Sequence, residues 1–335
     1  MPESVYRNRR AVQIENDFIR VSVLVEGGHI AEILHKPTGV NPLWTPPWPS
    51  IEPSAYRPEL HPEYGGNAES KLLAGIMGHN LCLDLFGGPS DEEAAAGVTV
   101  HGEASVASYS IEAQQHLLVM SADLPASQLS FERRLSLDGD TVEIVETVHN
   151  LGSFDRPIAW TQHVTLGPPF LVRGETEFEI PATRSKTFEG DFGDLFPRGV
   201  EFDWPYAPRR DGTKLDLRRC TDATTSAGYT AHLMDPARDD AFFTAWSPSS
   251  NVVFGYRWKR SDFPWLGIWE ENHARHAPPW NGRTLTRGME FGVSPMPETR
   301  RSMIERGSLF GVPAYRWIPA GTSVQVHYAA FIRFR

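Results

Sequence analysis

The chain has 335 residues, 40% hydrophobic and 22% charged, an ordinary balance for a soluble globular protein and enough for one large all-β domain or two smaller ones. A formal charge of −10 leaves no broad basic field, so nucleic acid is not an expected partner. The two cysteines, Cys82 and Cys220, lie far apart and suggest neither a disulfide framework nor a zinc knuckle.

The opening MPESVYRNRR leads into a strand-like segment without an apolar signal region, and no run approaches the length of a transmembrane helix. A cytoplasmic location with no membrane partner is therefore expected. Ile19 to Val25 alternates like a half-buried strand, Gly27-Gly28 allows a turn, and His29 to His35 forms its partner in an antiparallel meander. Asn41 to Tyr64 is dense in proline and carries Trp44 and Trp48. It is excluded from helix or central strand, and it is too aromatic for a disordered linker, so an ordered loop packed on a sheet is predicted.

Ser90 and Glu93 form a capping-box pattern ahead of Ala94-Ala95-Ala96 and Gly97, predicting a short helix inside a long connection. Strands are expected near 104–113, 116–123, 129–137 and 141–150, with Asp138-Gly139 marking a hairpin. Pro157 to Leu166 reads as a strand carrying His163, stopped by Gly167-Pro168-Pro169, and Phe170 to Ile180 as another. A second loop rich in Pro, Gly and aromatic residues covers 181–211. Strands resume near Leu215, Tyr229, Ala241, Asn251 and Trp265, a short helix is expected over 297–306, and Val324 to Phe334 closes the chain as a strand. Strands at roughly ten-residue spacing predict an all-β, antiparallel sandwich or barrel. Residues 1–335 show no repeat or composition break, so a single domain is expected.

Glu290 stands between Met289 and Phe291, with Gly288 and Gly292 outside them. On a strand it points away from its two apolar neighbours, so it can look into a cleft while they pack behind it; the plainer reading is an edge-strand Glu facing water. His79, His101 and His163 each sit at a strand end beside glycine or a rigid turn, although most of the twelve His will be structural or exposed. His273 and His276 with Glu270 and Glu271 lack the helix or spacing of a metal site, so no metal is expected. No GxSxG elbow, P-loop or GxGxxG fingerprint is present. Ten Trp and eighteen Phe suit the flat C–H faces of sugars, though core packing accounts for most aromatic residues.

Taken in order, the Gly-Gly meander, VHGEA near residue 100, TQHVTLG on a mid-chain strand and GMEFG after Leu266-Gly267-Ile268-Trp269 resemble the galactose mutarotase-like superfamily, the aldose 1-epimerases and their relatives. The resemblance covers nearly the whole chain through short motifs. It implies a β-supersandwich with a few short helices, a small-molecule sugar as ligand and interconversion of sugar anomers. It implies Glu290 as general base, His163 as general acid, and His101 and Trp269 as substrate-binding residues. Where the family has an Asn-Arg pair this chain reads Gly78-His79-Asn80, which assigns His79 to substrate binding; Asp203 and Asp235 both remain open as the sugar-binding Asp, and Arg283 and Arg287 as holders of a phosphate. No cofactor is implied, because both steps are proton transfers. A sugar-binding protein without turnover, and a carbohydrate lyase or hydrolase of related fold, are the alternatives.

Overall fold

In the strand Thr141–Asn150 every second residue is buried, the strict alternation of a sheet with one face in the core and one in water. The strand Arg156–Leu166 behaves differently: from Ile158 onward every residue is buried. That contrast divides the molecule. One sheet meets solvent on its outer face, and the other is covered on both.

The computed structural model describes residues 4–335; the first three residues of the opening segment, included in the expectation of no leader, lie outside the described residues. The larger sheet has twelve strands. Its central run is Ile30–His35, His79–Asp84, Arg156–Leu166, Leu285–Gly292, Trp265–Asn272 and Ser226–Met234, paired antiparallel throughout. The smaller sheet has eight strands and runs from Glu177–Glu179 through Asp240–Ser247, Val252–Lys259, Ser323–Phe334 and Thr141–Asn150 to Ser110–Gln114. Between the sheets lies one continuous apolar cluster that draws on residues from Val12 to Ile332 and includes Trp160, Phe254 and Phe291. The architecture is the expected all-β antiparallel sandwich. No helix among the described residues is long and apolar enough to cross a membrane.

The proline-rich loop is ordered as predicted. Trp44, Trp48 and Tyr64 bury their rings in a second cluster with Leu72, Leu73, Ile76 and Trp280. The capping box is formed by Ser90 and Glu93 at the start of the helix Asp91–Ala95. The helix expected over 297–306 begins later, at Arg300, because the Thr299 side chain accepts the Ser302 N–H as its cap, and it ends at Gly307. The strand expected over 170–180 shrinks to Glu177–Glu179. Its first half turns back instead, with the Thr176 hydroxyl accepting the Val172 N–H and Gly174 at φ +71.

Candidate active site

Register across three neighbouring strands assembles the site. His163 lies opposite Asn80 on one side and opposite Glu290 on the other. Directly paired residues share a face, so all three side chains project on the same side of the larger sheet. Their neighbours Leu81, Val164, Met289 and Phe291 project the other way, into the core between the sheets. This is the arrangement expected for Glu290, with its apolar flanks packed behind it.

His163 Nε2 and Glu290 Oε1 are 3.1 Å apart. They are close enough to share a proton but not aligned as a hydrogen bond, and Glu290 Oε1 has no other partner. His163 Nδ1 lies 3.1 Å from the Thr165 hydroxyl, which orients the ring. Burial pushes the Glu290 carboxyl well above its ordinary value. Burial, and then the nearby His101, hold the His163 imidazole well below its own. Both shifts favour the neutral pair, a carboxylic acid beside an uncharged imidazole, over the ion pair.

His101 arrives from the connection that follows the helix Asp91–Ala95. Its backbone is left-handed, φ +68, and the Gly102 that follows is also at positive φ, +81. A Cβ at Gly102 would sit 2.1 Å from the Leu83 carbonyl, so only glycine lets this loop lie against the strand His79–Asp84. The His101 Nδ1–H donates to the Phe86 carbonyl at 2.7 Å, which leaves Nε2 as the unprotonated nitrogen of the neutral ring. The His101 and His163 rings are 4.9 Å apart. Trp269 lies 5.8 Å from His163 on the other side, and its ring meets Trp280 edge-on at 6.0 Å.

Gly288 shares the face of Glu290 and is paired with Trp269. A Cβ there would come within 2.5 Å of Glu290 Oε1 and 3.2 Å of the Trp269 Cβ, so the missing side chain makes room for the carboxylate. His101, His163, Trp269 and Glu290 all line one cavity of about 290 Å³.

His79 does not join them. It precedes Asn80 on its strand, so it faces the opposite way, into the interior between the sheets. There it is fully buried, held by the Tyr256 hydroxyl at 3.0 Å and by Gln162 Oε1 at 2.9 Å. The assignment of His79 to the sugar site is corrected accordingly. Asn80 is the residue of that pair on the cavity's side of the sheet, and both its side-chain polar atoms are buried without partners. Asp203 is exposed on an edge strand, and neither it nor Asp235 lines the cavity. Arg287 is buried elsewhere, donating to the carbonyls of Leu217 and Arg219, and Arg283 is exposed, so neither is placed to hold a phosphate there.

Sequence reasoning missed Arg275, Glu69 and Asp191, which also line the cavity. The Arg275 guanidinium packs over Trp280, 4.6 Å from its centroid, and donates to Glu69 at 3.2 Å. Two partners 206 positions apart leave no local pattern to read.

Two packed antiparallel sheets, with a His and a Glu side by side on the larger one, make a β-sandwich whose cavity holds an adjacent imidazole and carboxyl group. No family model matches the sequence, and neither does any curated protein. Solved structures do match. A protein provisionally named an aldose 1-epimerase from Klebsiella pneumoniae subsp. pneumoniae superposes with a TM-score of 0.68 at 12% identity, covering 97% of this chain and 79% of that one. A galactose mutarotase-like protein from Clostridium acetobutylicum gives 0.63 at 14% identity, covering 100% and 98%. A galactose mutarotase related enzyme from Lactobacillus acidophilus gives 0.62 at 13%, covering 96% and 97%. The chain shares the fold of these structures.

Proposed function

We propose that this protein interconverts the anomers of a small sugar by acid–base ring opening, with Glu290 and His163 as the two proton carriers. The observation that carries the proposal is their 3.1 Å separation on the floor of a cavity sized for a monosaccharide. In the opening step Glu290 takes the proton of the anomeric hydroxyl, the bond from C1 to the ring oxygen breaks, and His163 gives its proton to that oxygen. The product is an open-chain aldehyde. Rotation about the bond to C1 presents its other face, and closure runs the same transfers backwards to the opposite anomer.

Opening converts a carboxylate beside an imidazolium into a carboxylic acid beside a neutral imidazole. The net charge of the pair never changes, so a desolvated site carries the reaction without burying an extra charge. Burial of both groups favours the second of these states. A sugar hydroxyl donating to the unpartnered Glu290 Oε1 favours the ionised form and returns the pair to the state that starts ring opening. His101 and Trp269 serve as substrate contacts, the first through Nε2 and the second through its ring face.

Polarimetry of freshly dissolved aldoses tests the proposal. The wild type should hasten the approach to the equilibrium rotation for at least one sugar, and Glu290→Gln or His163→Asn should each slow it by ~10²–10⁴-fold. Unchanged exchange in those variants removes the assigned roles. Saturable binding with no added exchange in the wild type points to a binding protein, and new reducing ends or unsaturated products to a hydrolase or lyase.

A further inference from the structure

The rest of the cavity differs in chemistry from its floor. Leu72, Leu73, Ile76 and Val100 line it together with the rings of Trp44 and Trp280. Aromatic rings accept the C–H faces of any pyranose. Aliphatic side chains do not, and a hydroxyl buried against them loses its water without gaining a partner.

Among the polar side chains beyond His101, His163 and Glu290, the indole N–H groups of Trp44, Trp269 and Trp280 are donors without a partner, while the others are engaged. The Thr165 hydroxyl is with His163 Nδ1. Arg275 is bonded to Glu69 and lies 3.8 Å from Glu271, so two carboxylates meet its one charge. Asp191 is paired with Arg198. Once the anomeric hydroxyl and the ring oxygen are on Glu290 and His163, a hydroxyl of a full hexose that falls against Leu72, Ile76 and Val100 has no side-chain partner there. A phosphate or carboxylate fares worse, because Glu69, Asp191 and Glu290 share the lining with a guanidinium that is already neutralised.

We infer that the substrate is an uncharged deoxy sugar, one with a hydroxyl replaced by hydrogen at a position away from the anomeric carbon, which lies against the aliphatic wall formed by Leu72, Ile76 and Val100. The inference rests on the anomer-interconversion reading above and narrows its substrate class. A site that offers apolar contact where the parent sugar has a hydroxyl favours the analogue lacking it, because the parent's group is left unpaired.

Calorimetric titration of the wild-type protein tests this, using D-glucose and D-galactose, their 2-, 3-, 4- and 6-deoxy derivatives, and D-glucose 6-phosphate. At least one deoxy derivative should bind ~10-fold or more tightly than its parent, and the phosphate ester should bind more weakly than D-glucose. Val100→Thr, close in shape, and Leu72→Asn should each narrow the preference for the deoxy sugar, while anomer exchange of the parent still depends on Glu290. No deoxy derivative bound more tightly than its parent, or the phosphate ester bound most tightly, overturns the inference; if Glu290-dependent exchange persists in that case, the functional reading stands without it. Absence of both binding and exchange for every sugar overturns the two together.

Discussion

At the scale of single residues, Gly288 and Glu290 are bound to each other. The carboxylate occupies the space that a Cβ at 288 would take, 2.5 Å from Oε1. Gly288→Ala keeps the strand and its ladder but displaces the carboxylate, and a misplacement of about 1 Å costs on the order of 10²-fold in rate. The expected outcome is a folded protein, by circular dichroism, with anomer exchange lowered to that degree; full activity in Gly288→Ala would place the reacting carboxylate elsewhere. Glu290 also sets a pH dependence of stability. Its folded value is raised by burial above the unfolded one, so the native state holds its proton more tightly. Below the unfolded value, near 4.5, both states are protonated and there is no penalty. As pH rises past it the unfolded chain ionises first, and the fold loses stability until the native group also ionises. Glu290→Gln removes this loss. Its melting temperature should exceed that of the wild type by a few degrees at pH 7, at about 2–4 °C per kcal/mol, and the gap should close towards pH 4. A variant less stable than wild type at pH 7 contradicts the buried, protonated state.

At the scale of elements, the strand His79–Asp84 carries alternate residues to two different interiors. Asn80 and Cys82 face the cavity's side, while His79 and Leu81 face the second sheet. His79→Phe should therefore lower stability by ~1–3 kcal/mol, since the Tyr256 hydroxyl loses its buried partner, and leave exchange by the folded protein within about threefold of wild type. A loss of exchange without loss of stability would return His79 to the site. The same strand shows what local pattern reveals. The direction of Glu290 follows from its own neighbours, Met289 and Phe291, because period two is visible in sequence. The direction of His79 depends on which of two buried faces holds the core, and a strand covered on both sides has no polar face to mark the difference. Arg275 and Glu69 were illegible for another reason: each is an ordinary charge in an irregular segment until tertiary packing joins them across Trp280.

At the scale of the whole molecule, the two sheets are joined behind the site by a buried polar network. Glu146 accepts from Arg133 at 2.7 Å and the Tyr328 hydroxyl at 2.7 Å, both on the smaller sheet, and from Trp160 at 2.9 Å and Gln162 at 2.6 Å on the larger. Arg133 and Glu146 are both fully buried, a costly arrangement unless every donor and acceptor is met. Here both carboxylate oxygens are doubly satisfied, which fixes Gln162 and, with it, the strand position of His163. Strand spacing and turn chemistry made the all-β class readable, whereas register between strands, and hence the meeting of residues 101, 163 and 290, is a property of the folded sheet alone. Whether those side chains act as one unit is best measured by NMR saturation transfer between the anomers of a bound sugar in wild type, Glu290→Gln, His163→Asn and the double variant. Two carriers of a single proton predict that each single change lowers the exchange rate by ~10²-fold or more and that the double change lowers it little further. Exchange unaffected by either substitution, or losses that multiply independently in the double variant, would contradict the shared-proton account.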